Sequence, residues 1–283
     1  MDSNFLVYQA YGHPDILNEA LISIASVYGY STSSRAFQIV LYTDSASYFQ
    51  SRLPFDIQYV ETPLSTWQEW KGEKQFVHRA KIKMLQHFVA GYSGNILYCD
   101  TDTYFLQSPF LLFDQIQEGY LLMHTDEGIL ERSQNLVFKK LDKFLRKYKA
   151  HSIPPSTHMW NAGVLGFSSQ EKGLLDQVAQ LSDDLYNAYP KHVMEQLSFS
   201  FYFQQKKLKA CEESIFHYWD FKEYRIVLKR FFEEQKEPSF EGWSKKVKAI
   251  LPMELIQKKR AFMAKPSIVR KWLTFIGKGL SYA

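Results

Sequence analysis

Asp100-Thr101-Asp102 closes the apolar run Asn95–Cys99 (NILYC). In an extended segment residues two apart face the same way, so Asp100 and Asp102 converge on one cation while Thr101 points away. Two carboxylates, completed by waters and phosphate oxygens, make the all-oxygen octahedral site that Mg²⁺ or Mn²⁺ favours. The triplet alone is weak evidence. With 13 Asp in 283 residues, about 0.6 such spacings arise by chance, and an acidic turn in solvent is the competing reading. Its position gives it weight, because ligands of parallel α/β sheets bind outside the carboxyl ends of strands.

The elements that must hold this pair alternate along the first half of the chain. Phe5–Ala10, Phe37–Thr43, Ile57–Val60 and Asn95–Cys99 read as strands, while Asp15–Tyr28 and Glu73–Val89 carry apolar residues at helical spacing. A loop with Trp67 and Trp70 precedes the second helix. This order predicts βαβ units and a mostly parallel sheet flanked by helices. Further on, Tyr120–His124, Met159–Phe167 and Ser214–Tyr218 read as strands, and Asn135–Tyr148, Lys172–Tyr189 and His192–Gln205 as helices. Pro238 and Gly242 mark a boundary, so residues 1–235 form the expected main domain and 236–283 an extension.

Apolar residues make up 46 % and charged residues 23 %, which excludes a disordered chain. No uncharged apolar run reaches the roughly 18 residues of a membrane span. Two cysteines, Cys99 and Cys211, argue against a disulfide framework. The acid in Met1-Asp2-Ser3-Asn4 is unlike a secretory leader, so a cytoplasmic setting is expected. The net charge of +4 is uneven: from Ser244 onward ten bases face one acid, leaving the preceding residues with 24 bases and 29 acids. An acidic body with a basic tail points away from nucleic acid.

Two enzyme classes place Asp-x-Asp at a strand end. Asp100-Thr-Asp-Thr103 also fits the nucleophile motif of haloacid-dehalogenase-type phosphohydrolases, with Asp100 as nucleophile, but their second acidic motif would have to be Ser182-Asp183-Asp184, inside a helical pattern. Four blocks in order resemble instead the retaining family 8 glycosyltransferases of GT-A fold, the group of glycogenin and bacterial lipopolysaccharide glycosyltransferases. They are the strand and helix Leu6–Ser26, Arg79-Ala-Lys81-Ile-Lys83-Met-Leu85, Asp100-Thr-Asp102-Thr-Tyr-Phe, and Asn161-Ala-Gly-Val-Leu-Gly166 followed by Glu195-Gln196. The closing block departs from that family: His217-Tyr-Trp-Asp-Phe-Lys222 lacks its Gly and Pro-Trp and is one residue shorter between His and Lys.

The resemblance implies a central mixed sheet flanked by helices and transfer of a hexose from a nucleotide sugar, UDP-hexose first, to a glycan or lipid-linked acceptor. It implies Mn²⁺ or Mg²⁺ held by Asp100, Asp102 and His217. Arg79, Lys81 and Lys222 are expected at the diphosphate, Tyr11, Asp44 and Thr101 about the nucleotide, Asn161, Glu195 and Gln196 about the reacting sugar, and Asp126, with its neighbour Glu127, facing the acceptor. Each has a plainer alternative, as a solvated face, a loop residue or a structural histidine. Trp67, Trp70 and Trp160 are sugar-stacking or core residues. A non-catalytic sugar-nucleotide or glycan-binding relative would carry the same aspartates without turnover.

The tail supplies a last pattern. Pro266–Leu280 places Ile268, Val269, Trp272, Leu273, Ile276 and Leu280 near one stripe, with Arg270, Lys271 and Lys278 elsewhere. Such a helix suits an anionic membrane surface, which would make the protein peripheral at the inner face of the membrane. Docking on its own domain is the alternative.

Overall fold

The computed structural model describes residues 3–30, 36–149, 151–235 and 239–280. The chain opens with β1 (Ser3–Ala10), α1 (Pro14–Val27), β2 (Gln38–Thr43), α2 (Ala46–Gln50) and β3 (Ile57–Glu61). It continues through α3 (Leu64–Lys71), α4 (Val77–Gly91), β4 (Gly94–Cys99), β5 (Thr103–Phe105), α5 (Phe110–Gln117), β6 (Leu121–Met123) and β7 (Asp126–Ile129). Then come α6 (Leu136–Leu145), β8 (His158–Trp160), β9 (Val164–Ser168), α7 (Lys172–Ala188), α8 (Met194–Phe203), β10 (Leu208–Ala210) and β11 (Ile215–His217). The last helices are α9 (Tyr224–Glu234), α10 (Phe240–Ser244), α11 (Pro252–Met263) and α12 (Ser267–Phe275).

Seven strands form one sheet in the order β10-β6-β9-β4-β1-β2-β3. β1 pairs in parallel with β2 and β4, and β2 with β3. β9 enters antiparallel between β4 and β6. The mostly parallel arrangement expected from the alternation is present in the first half of the chain, and β9 makes the whole sheet mixed, as the resemblance implies. Strand alternation splits the core into two layers. Leu6, Tyr8, Leu41, Leu97 and Cys99 face α1, α5 and α9, while Val7, Val40, Tyr42, Ile96 and Tyr98 face α4, α7 and α8. Fully burying one such aliphatic or aromatic side chain contributes about 1.5–3 kcal/mol, so both faces of the sheet are strongly specified.

Two expectations are corrected. The segment with Trp67 and Trp70 is the helix α3, and α4 begins at Val77 rather than Glu73. Gly72 and Gln75 have φ of 70° and 50°, left-handed values that break a continuous helix. The expected strand Met159–Phe167 is two strands, interrupted at Asn161-Ala162-Gly163.

Beyond residue 239 the chain first joins the main core. Trp243 is fully buried, edge-on to Phe232 and Phe240 with ring centroids at 5.6 and 5.3 Å, and α11 buries Leu255 and Ile256 in the same cluster. α12 buries nothing: Ile268, Trp272 and Phe275 are 76, 59 and 89 % exposed. No described helix is long and apolar enough to cross a membrane.

Candidate metal centre and adjoining clefts

The parallel strands β1, β2 and β4 all end at one edge, which places Tyr11, Asp44 and Asp100 there. β9 runs the other way, with Val164 opposite Cys99, so the Asn161–Gly163 segment preceding it arrives at the same edge. The Asp100 N–H donates to the Gly163 carbonyl at 2.7 Å. β11 then pairs antiparallel with β5, setting His217 opposite Thr103, one residue past Asp102. Three segments far apart in sequence thus bring Asp100, Asp102 and His217 together, with one ligand atom of each lying within 4.8 Å of the others. Two carboxylates and an imidazole at this spacing fit Mn²⁺ or Mg²⁺ with waters or phosphate oxygens completing the shell.

Hydrogen bonds fix the orientation of His217. Glu127 accepts from the Asn161 amide nitrogen at 3.1 Å, which turns the amide oxygen Oδ1 toward the histidine. That oxygen accepts from Gly163 N–H at 3.0 Å and from His217 Nδ1 at 2.9 Å. Because Oδ1 can only accept, Nδ1 carries a hydrogen; Nε2, 3.1 Å from Asp102 Oδ1, donates to that carboxylate when the ring is protonated and offers its lone pair to an ion when the ring is neutral. A second ring nitrogen held by such a partner is the usual support of a metal-binding histidine. Burial disfavours both charges, yet their attraction prevails: Asp102 is held below the ordinary carboxylate range and His217 is raised above the ordinary imidazole value. Gly163 is needed for this approach, since a Cβ there would overlap the His217 ring.

Beneath Asp100 lies a buried lysine. Lys81 Nζ is 3.3 Å from Asp100, 3.1 Å from Glu195 Oε1 and 2.9 Å from the Ala162 carbonyl. Two of its three donors are hydrogen-bonded, to Asp100 and the Ala162 carbonyl, and its charge is paired with both carboxylates. The Glu195 contact is close but poorly aligned for a hydrogen bond, and burial outweighs the lysine in pushing the Glu195 carboxyl up to about 7. Tyr98 donates to Asp100 at 2.5 Å.

Two clefts meet at these residues, with His78, Lys81, Asp100 and Asp102 lining both. One, of about 330 Å³, is walled by Gln9, Tyr11, Lys71, Thr101 and Arg225. There Tyr11 stacks on the buried Trp67 at 3.9 Å. Asp44 accepts from Gly12 N–H at 3.0 Å, shaping the turn beyond Tyr11. The other cleft, of about 280 Å³, is walled by Glu127, Asn161, Glu195, Gln196, His217 and Trp219. Glu127 accepts there from Gln196 at 2.8 Å.

Three expectations need correction. Arg79 is turned away from both clefts, donating to Asp183 and the Trp70 carbonyl at 2.8 Å each. Lys222 is exposed and lines neither cleft, whereas Arg225 does line one. Asp126 binds His158 at 2.7 Å on the outer side of β7, and Glu127 is the carboxylate in the cleft. In keeping with their helical pattern, Asp183 and Asp184 lie on α7 and pair with Arg79 and His151, so they supply no second acidic motif beside Asp100. Trp70 and Trp160 are partly buried against the core.

No protein-family model and no curated protein sequence matches the chain. Solved structures do match. The fold resembles that of the galactosyltransferase LgtC, determined with donor and acceptor sugar analogues, at 13 % identity over 73 % of each chain and a TM-score of 0.50. An active-site mutant of LgtC gives 14 % identity over 73 % of this chain and 72 % of that one, with a TM-score of 0.51. Mouse xyloside xylosyltransferase 1 gives 10 % identity over 74 % of this chain and 85 % of that one, with a TM-score of 0.50. The chain therefore has the GT-A glycosyltransferase fold, and at these identities the likeness extends to the fold alone.

Proposed function

We propose that the protein is a metal-dependent glycosyltransferase that moves a hexose from a nucleotide sugar, UDP-hexose first, to a glycan or lipid-linked acceptor, with retention at the anomeric carbon. One observation carries this reading: the Asp100, Asp102 and His217 ligand set stands at the junction of two clefts. A divalent ion there supplies Lewis-acid stabilisation of the leaving diphosphate. The Tyr11 cleft takes the nucleotide, with the Tyr11 ring as its apolar wall and Asp44 fixing the turn beside it. The Glu127 cleft takes the sugar and acceptor, where Glu127 and Gln196 offer hydrogen bonds to hydroxyl groups. Trp219, 52 % exposed, offers a flat face at its mouth. Retention follows only from the resemblance of the sequence blocks.

Calorimetric titration with UDP in the presence of Mn²⁺ and in EDTA tests the donor site. Affinity that depends on Mn²⁺ supports it, and equal affinity in both refutes the metal role. A phosphorylated Asp100 after incubation with a phosphate ester would favour phosphohydrolase chemistry instead.

The exposed face of α12 we assign to an anionic membrane surface, where a lipid-linked acceptor resides. From Ser244 onward ten bases stand against one acid, and each Lys or Arg near such a surface contributes about 1 kcal/mol. Sedimentation with phosphatidylserine-containing vesicles at low salt tests this assignment. The intact protein should sediment, and Trp272→Ala/Phe275→Ala should not, while still binding UDP. An intact protein that ignores such vesicles at low salt refutes it.

A further inference from the structure

We propose that Arg225 grips the diphosphate of the donor, the task expected of Lys222; the proposal rests on the donor-site reading above. Arg225 lies in the first turn of α9 and lines the Tyr11 cleft together with Asp100, Thr101 and Asp102. Its Nε donates to Glu19 Oε1 at 2.9 Å. Glu19 sits on α1, 2 % exposed, with its other oxygen 3.5 Å from Thr101 Oγ1, behind the aspartate pair.

The geometry divides the guanidinium in two. A guanidinium carries five N–H donors in a rigid fork, and among the described residues only Nε is hydrogen-bonded. The buried carboxylate fixes one edge, which leaves four N–H bonds for a ligand in the cleft. The side chain is 36 % exposed, enough to be reached. A fork presented in this way suits the paired oxygens of a phosphate.

Charge balance points the same way. Asp100, Asp102 and Glu19 already place three carboxylates around the cleft, and a nucleoside diphosphate brings further negative charge. Lys81 is committed to Asp100 and Glu195, and Arg79 to Asp183. Lys71 lies over the Tyr11 ring at 5.0 Å. Among the described cations that line this cleft, Arg225 combines a fixed orientation with donors to spare.

Calorimetry in Mn²⁺ with UDP and with uridine tests the assignment on the full-length protein. Arg225→Gln should weaken UDP binding about tenfold, the effect of one charge-assisted contact, and leave uridine binding within about twofold. Glu19→Gln should bind UDP at least as well as the unaltered protein. The double variant Glu19→Gln/Arg225→Gln, which leaves no unpaired buried carboxylate, should show the same tenfold loss. Glu19→Gln losing as much as Arg225→Gln, or equal losses for UDP and uridine, would make the pair purely structural and overturn the proposal. Unchanged UDP affinity in both Arg225 variants overturns it as well. Failure of the unaltered protein to bind UDP with Mn²⁺ refutes the donor-site reading itself, and the proposal falls with it.

Discussion

Replacing Lys81 with methionine should destabilise the fold more than any other single change at the site. The side chains of Lys81 and Glu195 are each 4 % exposed, and that of Asp100 is 28 % exposed. At an effective dielectric constant of about 20, unit charges at such separations attract by roughly 5 kcal/mol. The desolvation of both partners opposes this attraction, so breaking a buried pair by removing one partner costs about 3–5 kcal/mol. For a chain of this size each kcal/mol corresponds to roughly 2–4 °C, so Tm should fall on the order of 10 °C. Urea unfolding and thermal melting of Lys81→Met, carried out above the raised Glu195 value of about 7 so that this carboxyl is ionised, measure the loss. Adding Glu195→Gln removes the stranded carboxylate and should restore about half of it. A loss below about 1 kcal/mol, or a double variant no more stable than the single one, would refute the buried counter-ion. A lysine reserved for donor phosphates would behave differently, weakening UDP binding while leaving the melt unchanged.

Gly163→Ala should push the His217 ring out of place, reducing Mn²⁺ affinity at least tenfold while the far-UV circular dichroism stays unchanged; unaltered Mn²⁺ binding would contradict the packing. His78 is pushed down to about 4, first by burial and then by Lys81. The folded protein therefore binds fewer protons than the unfolded chain between pH 6.5 and 4, and stability falls as pH drops through that window. His78→Gln should escape up to about 3 kcal/mol of that loss, read from urea unfolding at pH 7 and pH 4.5. Parallel losses in both proteins would show that His78 is not the group responsible.

The sequence reveals the scaffold more readily than the side chains that complete the site. β1, β2 and β4 are legible because strands buried on both faces are continuous apolar runs, and the Asp100–Asp102 pair is legible because it closes one of them. The break at Asn161–Gly163 is hidden inside an apolar run. Only the fold shows that Asn161 leaves the sheet to orient His217. The choice between Asp126 and Glu127 depends on which face of a four-residue strand looks inward, and the pairing of β7 with β8 is irregular there. Arg79 and Arg225 carry the same charge on helices. Their roles diverge because Asp183 waits beside one and Glu19 beside the other, partners 104 and 206 residues away.

On the proposed function, Asp100, Asp102 and His217 hold the ion that assists departure of a nucleoside diphosphate. Release of free UDP from a panel of UDP-hexoses, measured with Mn²⁺ and in EDTA for the unaltered protein and for Asp102→Asn, tests it most directly. Mn²⁺-dependent release is expected from at least one donor, abolished in EDTA and reduced at least a hundredfold by Asp102→Asn. Release that persists in EDTA, or that Asp102→Asn leaves unchanged, would contradict it.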